Sequence, residues 1–336
     1  MSNDTDRPTV MVTGGAGYIG SHAVLALVDA GWRVVVIDNL VTGFRWAVDP
    51  RATFVEGSVE NETLVRSVIT EHGVGAILHF AGSVVVPESV TDPLKYYRNN
   101  TAATRSLLES AVAGGVRHFI FSSTAATYGI PEAIPIREDA PQMPINPYGA
   151  SKLMTERMLA DVAVAHPMNY CALRYFNVAG ADPLGRSGQS TAGATHLIKV
   201  AAEAVTGQRD HVAVFGTDYA TPDGTGVRDY IHVSDLADAH VHALEALIAS
   251  PEESLTLNCG YGRGYSVLEV LDAVDRATNR PIERRMLERR PGDPDALVAD
   301  NGAILARLPW RPKYADLDVI VTDALRWQRH LADMAR

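Results

Sequence analysis

Four glycines fall within seven positions, Gly14 to Gly20, in the stretch VMVTGGAGYIGSH, directly behind a run of β-formers. Glycine loses more conformational freedom on folding than any other residue, so a strand or helix interior gains nothing from such a cluster. A tight turn whose backbone must be approached closely does. Gly15, Gly17 and Gly20 fit G-x-G-x-x-G, and Gly14, Gly17 and Gly20 fit the variant with three-residue spacing. The next β-rich run, RVVVID, ends at Asp38, 18 residues beyond Gly20, close to the spacing of the dinucleotide-binding fingerprint. In that unit the helix N-terminus offers amide N–H groups and a partial positive charge to a pyrophosphate. The carboxylate accepts bonds from the adenosine ribose hydroxyls and repels a 2′-phosphate, which selects NAD over NADP. A structural turn at the glycines and a turn cap at Asp38 are the competing readings.

The alternation continues through the first half. TVMVT, RVVVID, FVEG, AILHFAG, RHFIFSS and CALRYFN are β-rich, and a helix is expected from about Ser21 to Ala30. Strands separated by helical patterns, with few hairpin signals, point to a parallel sheet. Apolar runs without strict alternation belong to strands buried on both faces. The expected fold is α/β, a Rossmann-type doubly wound parallel sheet with a smaller C-terminal substrate-binding lobe. After Asn177 the texture changes to VAGADPLGRSGQSTAGAT, a connection of the length that covers a site or links lobes. Helical patterns follow near 196–207, 234–249 and 266–277. The dinucleotide-binding domain is expected at 1–177 plus about 228–258, which returns to the sheet. The second lobe is expected at about 178–227 plus 259–336.

A net charge of −10 and a pI near 5.5 argue against a general nucleic-acid grip, which needs a positive field. Anionic ligands must then be held by local arginines. No apolar run approaches the ~18 to 20 residues that a bilayer span requires. The N-terminal MSNDTDR is too polar for a signal or transit peptide, so no membrane partner and a cytoplasmic location are expected. Cys171 and Cys259 lie in apolar stretches and read as core residues, and His196, His232 and the other histidines lack metal-ligand spacing. No metal is expected.

Pro147-Tyr148-Gly149-Ala150-Ser151-Lys152 places a tyrosine and a lysine four apart, on one face of a helix whose first turn suits proline. A free phenol, with its pKa of about 10, is a poor base; a nearby ammonium favours the phenolate and brings it toward working pH. Ser122-Ser123-Thr124 closes a predicted strand, and Thr124 can share a substrate hydroxyl proton with Tyr148.

With HFAG, PESV, YYRNN, FSSTAATYG, NPYGASK, LRYFNVAGAD, DGTGVRDYIHVSDLADAH and RRPGDP added, the chain resembles the extended short-chain dehydrogenase/reductase family, and within it the nucleotide-sugar 4-epimerases, from Val10 to about Trp327. The resemblance implies inversion at carbon 4 of UDP-glucose and UDP-galactose. Tyr148 would act as base on the 4-hydroxyl with Thr124, hydride would pass reversibly to bound NAD, and Lys152 would hold the nicotinamide ribose. Cofactor contacts are implied at Gly14, Gly17, Tyr18, Ile19, Gly20, Asp38, Asn39, Ser58, Val59, Phe80, Ala81, Gly82, Asn99, Ser122, Tyr148, Lys152 and Tyr175. Substrate contacts are implied at Thr124, Tyr148, Asn177, His196, Arg228, Arg290, Asp293 and Leu297. Arg228 and Arg290 suit a diphosphate because a guanidinium presents paired donors. The expected partners are a UDP-sugar and a second copy of the chain in a homodimer.

The chain departs from the family pattern at Ser58, where many members carry aspartate, at Val84, where some carry lysine, and at His196, where asparagine is common. Another UDP-sugar (an N-acetylhexosamine, glucuronate or pentose) is the alternative substrate. Dehydration is a further alternative, but it needs an acid and base directly after the threonine, where this chain has Ala125 and Ala126. A non-catalytic NAD sensor would have no need of Tyr148 and Lys152 together.

Overall fold

The computed structural model describes residues 7–290 and 293–334. The N-terminal stretch 1–6 and Pro291-Gly292 of RRPGDP lie outside the described residues. The strands of the large sheet are β1 (Thr9–Thr13), β2 (Val34–Asp38), β3 (Thr53–Glu56), β4 (Val74–His79), β5 (His118–Thr124) and β6 (Asn169–Tyr175), joined late by a strand at Leu255–Cys259. Each of the six apolar runs expected to be strands forms one. Every residue of β1 and β2 is buried, as required of strands covered on both faces.

The strand order is Leu255–Cys259, β6, β5, β4, β1, β2, β3. The chain therefore runs outward from β1 to β3, returns to pair β4 with β1, and runs outward again through β5 and β6. That reversal makes the sheet doubly wound, with its switch point between β1 and β4, where ligands of such sheets bind beyond the carboxyl ends of the strands. The β1 registers Val12↔Val36 and Val12↔Leu78 are parallel on both sides. Helices α1 (Tyr18–Asp29), α2 (Glu62–His72), α3 (Val86–Thr91), α4 (Pro93–Tyr96), α5 (Ala103–Ala113) and α6 (Pro147–Ala165) connect the strands. Met11, Ile77, Leu107, Phe119, Phe121 and Leu159 lie in one core of strands and covering helices. Local signals fix the helix ends. Asn61 caps α2 by accepting from the Leu64 amide at 3.1 Å, and Gly73 at φ +62° ends it. Asn146 caps α6 by accepting from the Gly149 amide at 2.8 Å, with Pro147 in the first turn.

Two compact units share the chain: Met1–Thr127, Asn146–Arg174 and Ala237–Leu257 form one, and Tyr128–Ile145, Tyr175–Leu236 and Asn258–Arg336 the other. The second unit contains β7 (Asn177–Ala179), α7 (Leu197–Val205), β8 (Val212–Phe215), β9 (Val227–His232), the start of α8 (Val233–Ala249), the end of β10, which is the Leu255–Cys259 strand, β11 (Gly264–Ser266), α9 (Val267–Thr278), β12 (Arg284–Leu287), β13 (Ala296–Leu297), α10 (Gly302–Arg307) and α11 (Leu317–Met334). Ser266 and Glu269 form a capping box at the start of α9. Ile198, Ala201, Val214, Leu271, Val274 and Ile320 lie in its core.

The sequence assignment put 128–145, 175–177 and 228–236 with the first unit, and all three belong to the second. Of the segment expected to return to the sheet, β10 does so; β9 pairs instead with β7, β11 and β13. The 128–145 stretch follows it through Tyr128, whose hydroxyl donates to Asn258 at 2.6 Å, and through the Ile136 amide, which donates to the Val298 carbonyl at 2.8 Å.

Candidate active site

The glycine turn is built by contact between backbones. Gly14 adopts φ +71°, a left-handed conformation that favours glycine. A Cβ there would stand 2.6 Å from the Ala81 amide nitrogen, and a Cβ on Gly20 would stand 2.1 Å from the Gly14 carbonyl oxygen. Gly17 is the N-cap of α1 and makes no side-chain capping bond, while Tyr18 and Ile19 open the helix. No side chain caps its first amides, and uncapped amides at a helix N-terminus suit an anion.

Other candidates gather around this turn. The Phe80 amide donates to the Thr13 carbonyl at 2.9 Å, bringing Phe80-Ala81-Gly82 beside the turn. Asp38 ends β2, and its carboxylate accepts from the Ala16 amide at 2.9 Å and the Leu40 amide at 2.8 Å. Asn39 follows, accepting from the Val41 amide at 3.2 Å. The Gly57 amide donates to the Asp38 carbonyl at 3.0 Å, which carries Ser58 and the buried Val59 to the same edge. Asn99 lies in a π-helical turn over Tyr97–Ala102 and donates to the Ser83 hydroxyl at 3.0 Å. Its neighbour Asn100, which the sequence reading passed over, accepts from the Ser83 amide at 2.7 Å and donates to the Ser151 hydroxyl at 3.0 Å. The loop after β4 is thereby tied to α6.

On α6, Tyr148 and Lys152 are both buried. Tyr148 is hydrogen-bonded to Thr124, the last residue of β5. Lys152 Nζ donates to the Ser122 carbonyl at 2.9 Å and lies 4.9 Å from the Phe121 ring centroid. The Tyr96 ring meets that of Tyr148 edge-on at 6.4 Å. Burial pulls the Lys152 ammonium down to about 8, against the Glu156 carboxylate, which holds it up. Burial also pushes the Tyr148 phenol above its ordinary range, and the Thr124 bond opposes it. The sequence reading assigned that opposing influence to the lysine and the nicotinamide ring; in the folded chain the Thr124 hydroxyl contributes to it as well. No carboxylate follows Thr124: Ala125–Thr127 form a short 3-10 turn in which the Ala126 amide donates back to the Thr124 hydroxyl at 3.2 Å.

In the second unit, β9 and β13 pair with Leu297 opposite Arg228. Arg228 forms an ion pair with Asp293, and the Asp293 amide donates to the Arg290 carbonyl at 3.2 Å. Asn177 pairs with Tyr230 of β9, two residues from Arg228. These five candidates thus converge on one strand and its neighbours. His196, the exposed N-cap of α7, makes no side-chain capping bond. Tyr175 is buried at the end of β6. Sequence reasoning missed Phe215, whose ring lies 3.8 Å from the Arg290 guanidinium carbon; a single aromatic at a strand end carries no signal. Among the described residues, no group of three or more His, Cys, Asp or Glu side chains is placed to hold a metal ion, and no helix is long and apolar enough to cross a membrane.

The sequence pattern of the NAD dependent epimerase/dehydratase family matches residues 10–260. A UDP-glucose 4-epimerase of Azospirillum brasilense is 56% identical over 324 residues, covering 96% of this chain and 93% of its own. A UDP-glucose 4-epimerase of Brucella ovis, solved in complex with NAD, is 46% identical with a TM-score of 0.92, covering 96% of this chain and 99% of its own. Another, from Stenotrophomonas maltophila, solved with NAD and formylated UDP-arabinopyranose, is 37% identical with a TM-score of 0.94, covering 98% of this chain and 100% of its own.

Proposed function

Because the chain belongs to the NAD dependent epimerase/dehydratase family, we propose that it is an NAD-dependent isomerase inverting carbon 4 of UDP-glucose and UDP-galactose. The observation that carries this reading is the buried Tyr148–Thr124 pair with Lys152 one turn away and alanines where elimination of water would need a carboxylate. The 56% identity to the Azospirillum brasilense UDP-glucose 4-epimerase, over nearly the whole chain, supports it.

The residues fit NAD. A Cβ would fill the turn at Gly14 and Gly20, the start of α1 has uncapped amides for a pyrophosphate, and Asp38 closes β2 where an adenosine ribose is received. When bound, NAD supplies the reversible oxidation at carbon 4 through which configuration is lost and regained. Tyr148 Oη takes the proton of the sugar 4-hydroxyl and later returns it, and the Thr124 hydroxyl orients that hydroxyl. Lys152 keeps a positive charge near the phenol and donates to the nicotinamide ribose. Arg228 and Arg290 grip the diphosphate, Asp293 receives the uridine ribose, Asn177 and His196 are further nucleotide contacts, and Leu297 borders the sugar. Ser58, Val59, Phe80, Ala81, Gly82, Asn99, Ser122 and Tyr175 complete the cofactor contacts. Val90, Leu94 and Met154 are exposed on the neighbouring helices α3, α4 and α6, which supports a homodimer. The protein works in the cytoplasm.

The test is turnover of a UDP-sugar panel by purified protein loaded with NAD, beside Tyr148→Phe. UDP-galactose should give UDP-glucose, and the phenylalanine variant should lose activity by about 10²- to 10⁴-fold while still binding UDP-sugar. A product lighter by one water, no turnover of any UDP-hexose, or a Tyr148→Phe rate within a few-fold of wild type would overturn the assignment.

A further inference from the structure

We propose that Glu156 is a positioning residue that holds Lys152 charged and fixes α6 against the end of β5, a role that rests on the assignment of Tyr148 and Lys152 as the acid/base pair. Glu156 stands one turn beyond Lys152 and two beyond Tyr148 on α6, and is 7% exposed. Arg174, near the end of β6 and 4% exposed, grips its carboxylate through Nε at 3.0 Å from Oε1 and Nη2 at 2.6 Å from Oε2. The Ser123 hydroxyl donates to the same Oε1. Ser123 lies between Ser122, whose carbonyl receives Lys152, and Thr124, which bonds Tyr148. One carboxylate therefore ties α6, β5 and β6 together behind the catalytic pair.

Stability alone is a weak reason for this arrangement, because a buried ion pair contributes little over well-packed apolar side chains. The charge balance supplies a better one. The Glu156 carboxylate is paired with the buried Arg174 and its charge also acts on the buried Lys152 one turn away. Of the described titratable groups that act on them from other elements, His79 of β4 is held neutral, pulled down to about 3 by burial and by Lys152, and Tyr170 of β6 is pushed up by burial. Tyr148 of α6, also pushed up, and Tyr96 of α4, pushed up as well, are phenols. If the carboxylate is neutralised, an arginine cannot give up its proton, whereas a buried lysine can. Lys152 takes the whole penalty.

The experiment measures kcat/KM against pH for NAD-loaded wild type, Glu156→Gln and Glu156→Asp. The glutamine variant should move the alkaline limb to lower pH by roughly half a unit or more. The aspartate variant keeps the charge, so its limb should stay in place while kcat falls because the shorter side chain no longer reaches Arg174 and Ser123 together. A folded Glu156→Gln enzyme with its limb unmoved overturns the proposal, as does an aspartate variant with the wild-type kcat. If the glutamine variant fails to fold, Ser123→Ala decides: a kcat lowered about threefold or more, with KM within about twofold, supports the role, and an unchanged kcat overturns it. The wild-type rate on UDP-galactose at neutral pH tests the functional reading separately.

Discussion

A methyl group at Gly20 tests why the turn carries so many glycines. On the observed backbone, the Cβ of Gly20→Ala stands 2.1 Å from the Gly14 oxygen and 2.9 Å from its carbon, almost an ångström short of the 3.0 Å that real Cβ contacts respect. Both parties are backbone, so neither can swing aside. Gly14 has little room to retreat: it is left-handed at φ +71°, the Ala81 backbone closes its other side, and its carbonyl holds the Gly17 amide at 3.1 Å. Overpacking of this kind costs about 1 to 3 kcal/mol, a loss of a few degrees in Tm. The shift also displaces the first amides of α1, so NAD affinity should fall about tenfold or more, a loss of about 1.4 kcal/mol. Gly17→Ala separates the two effects. Its Cβ meets the Gly14 oxygen at 3.3 Å, with φ at −81°; stability should change by about 0.5 kcal/mol or less, while NAD binding still weakens because a methyl now stands where a pyrophosphate must approach. Thermal melts with and without saturating NAD, together with the NAD retained after gel filtration, read both terms. A Gly20→Ala protein that melts with wild type and keeps its NAD would refute the reasoning. So would a Gly17→Ala protein destabilised as much without NAD.

Three further outcomes are expected. Lys152→Met should abolish turnover yet raise stability at neutral pH: burial lowers the folded pKa from 10.5 to about 8, the native state holds fewer protons than the unfolded one between those values, and the cost of about 3 kcal/mol, present below pH 8 and relieved as pH rises toward 10.5, disappears with the ammonium; a melting midpoint at pH 7 lower than wild type would contradict this. Leu297→Ser should raise, and Leu297→Tyr lower, the ratio of kcat/KM for UDP-N-acetylgalactosamine to that for UDP-galactose, by about 10- to 200-fold across the series; an unchanged ratio removes Leu297 from the sugar's surroundings. On the family resemblance, Ser58 and Val84 stand where relatives carry aspartate and lysine, so added NAD should stimulate extensively dialysed enzyme, and stoichiometric retention without stimulation would count against that.

The first sheet was legible because parallel strands covered on both faces must be apolar throughout, and RVVVID and AILHFAG read that way without help from their partners. The Tyr148–Lys152 spacing was legible because four residues are one helical turn. The second unit was harder to read. Its strands are short, two to six residues, too few for a period to emerge, and β9 carries Arg228 and Asp229 amid apolar residues much as a sheet strand could. Only tertiary pairing with β7, β11 and β13 decides its place. The Glu156–Arg174 pair was invisible for another reason: its partners lie 18 residues apart on different elements, and a buried charge looks, in a sequence, like a surface one. The π-helical turn that sets Asn99 and Asn100 side by side likewise leaves no compositional trace.

Each unit is stitched from three separate stretches of chain. No single cut in the gene releases either one. Grafting the second unit of a relative onto the first would take five junctions, three of them inside β6, α8 and β10. Recombination is therefore a poor route to a new substrate range for a protein threaded in this way; replacement of single side chains, such as that opposite Arg228, is the route its connectivity leaves open.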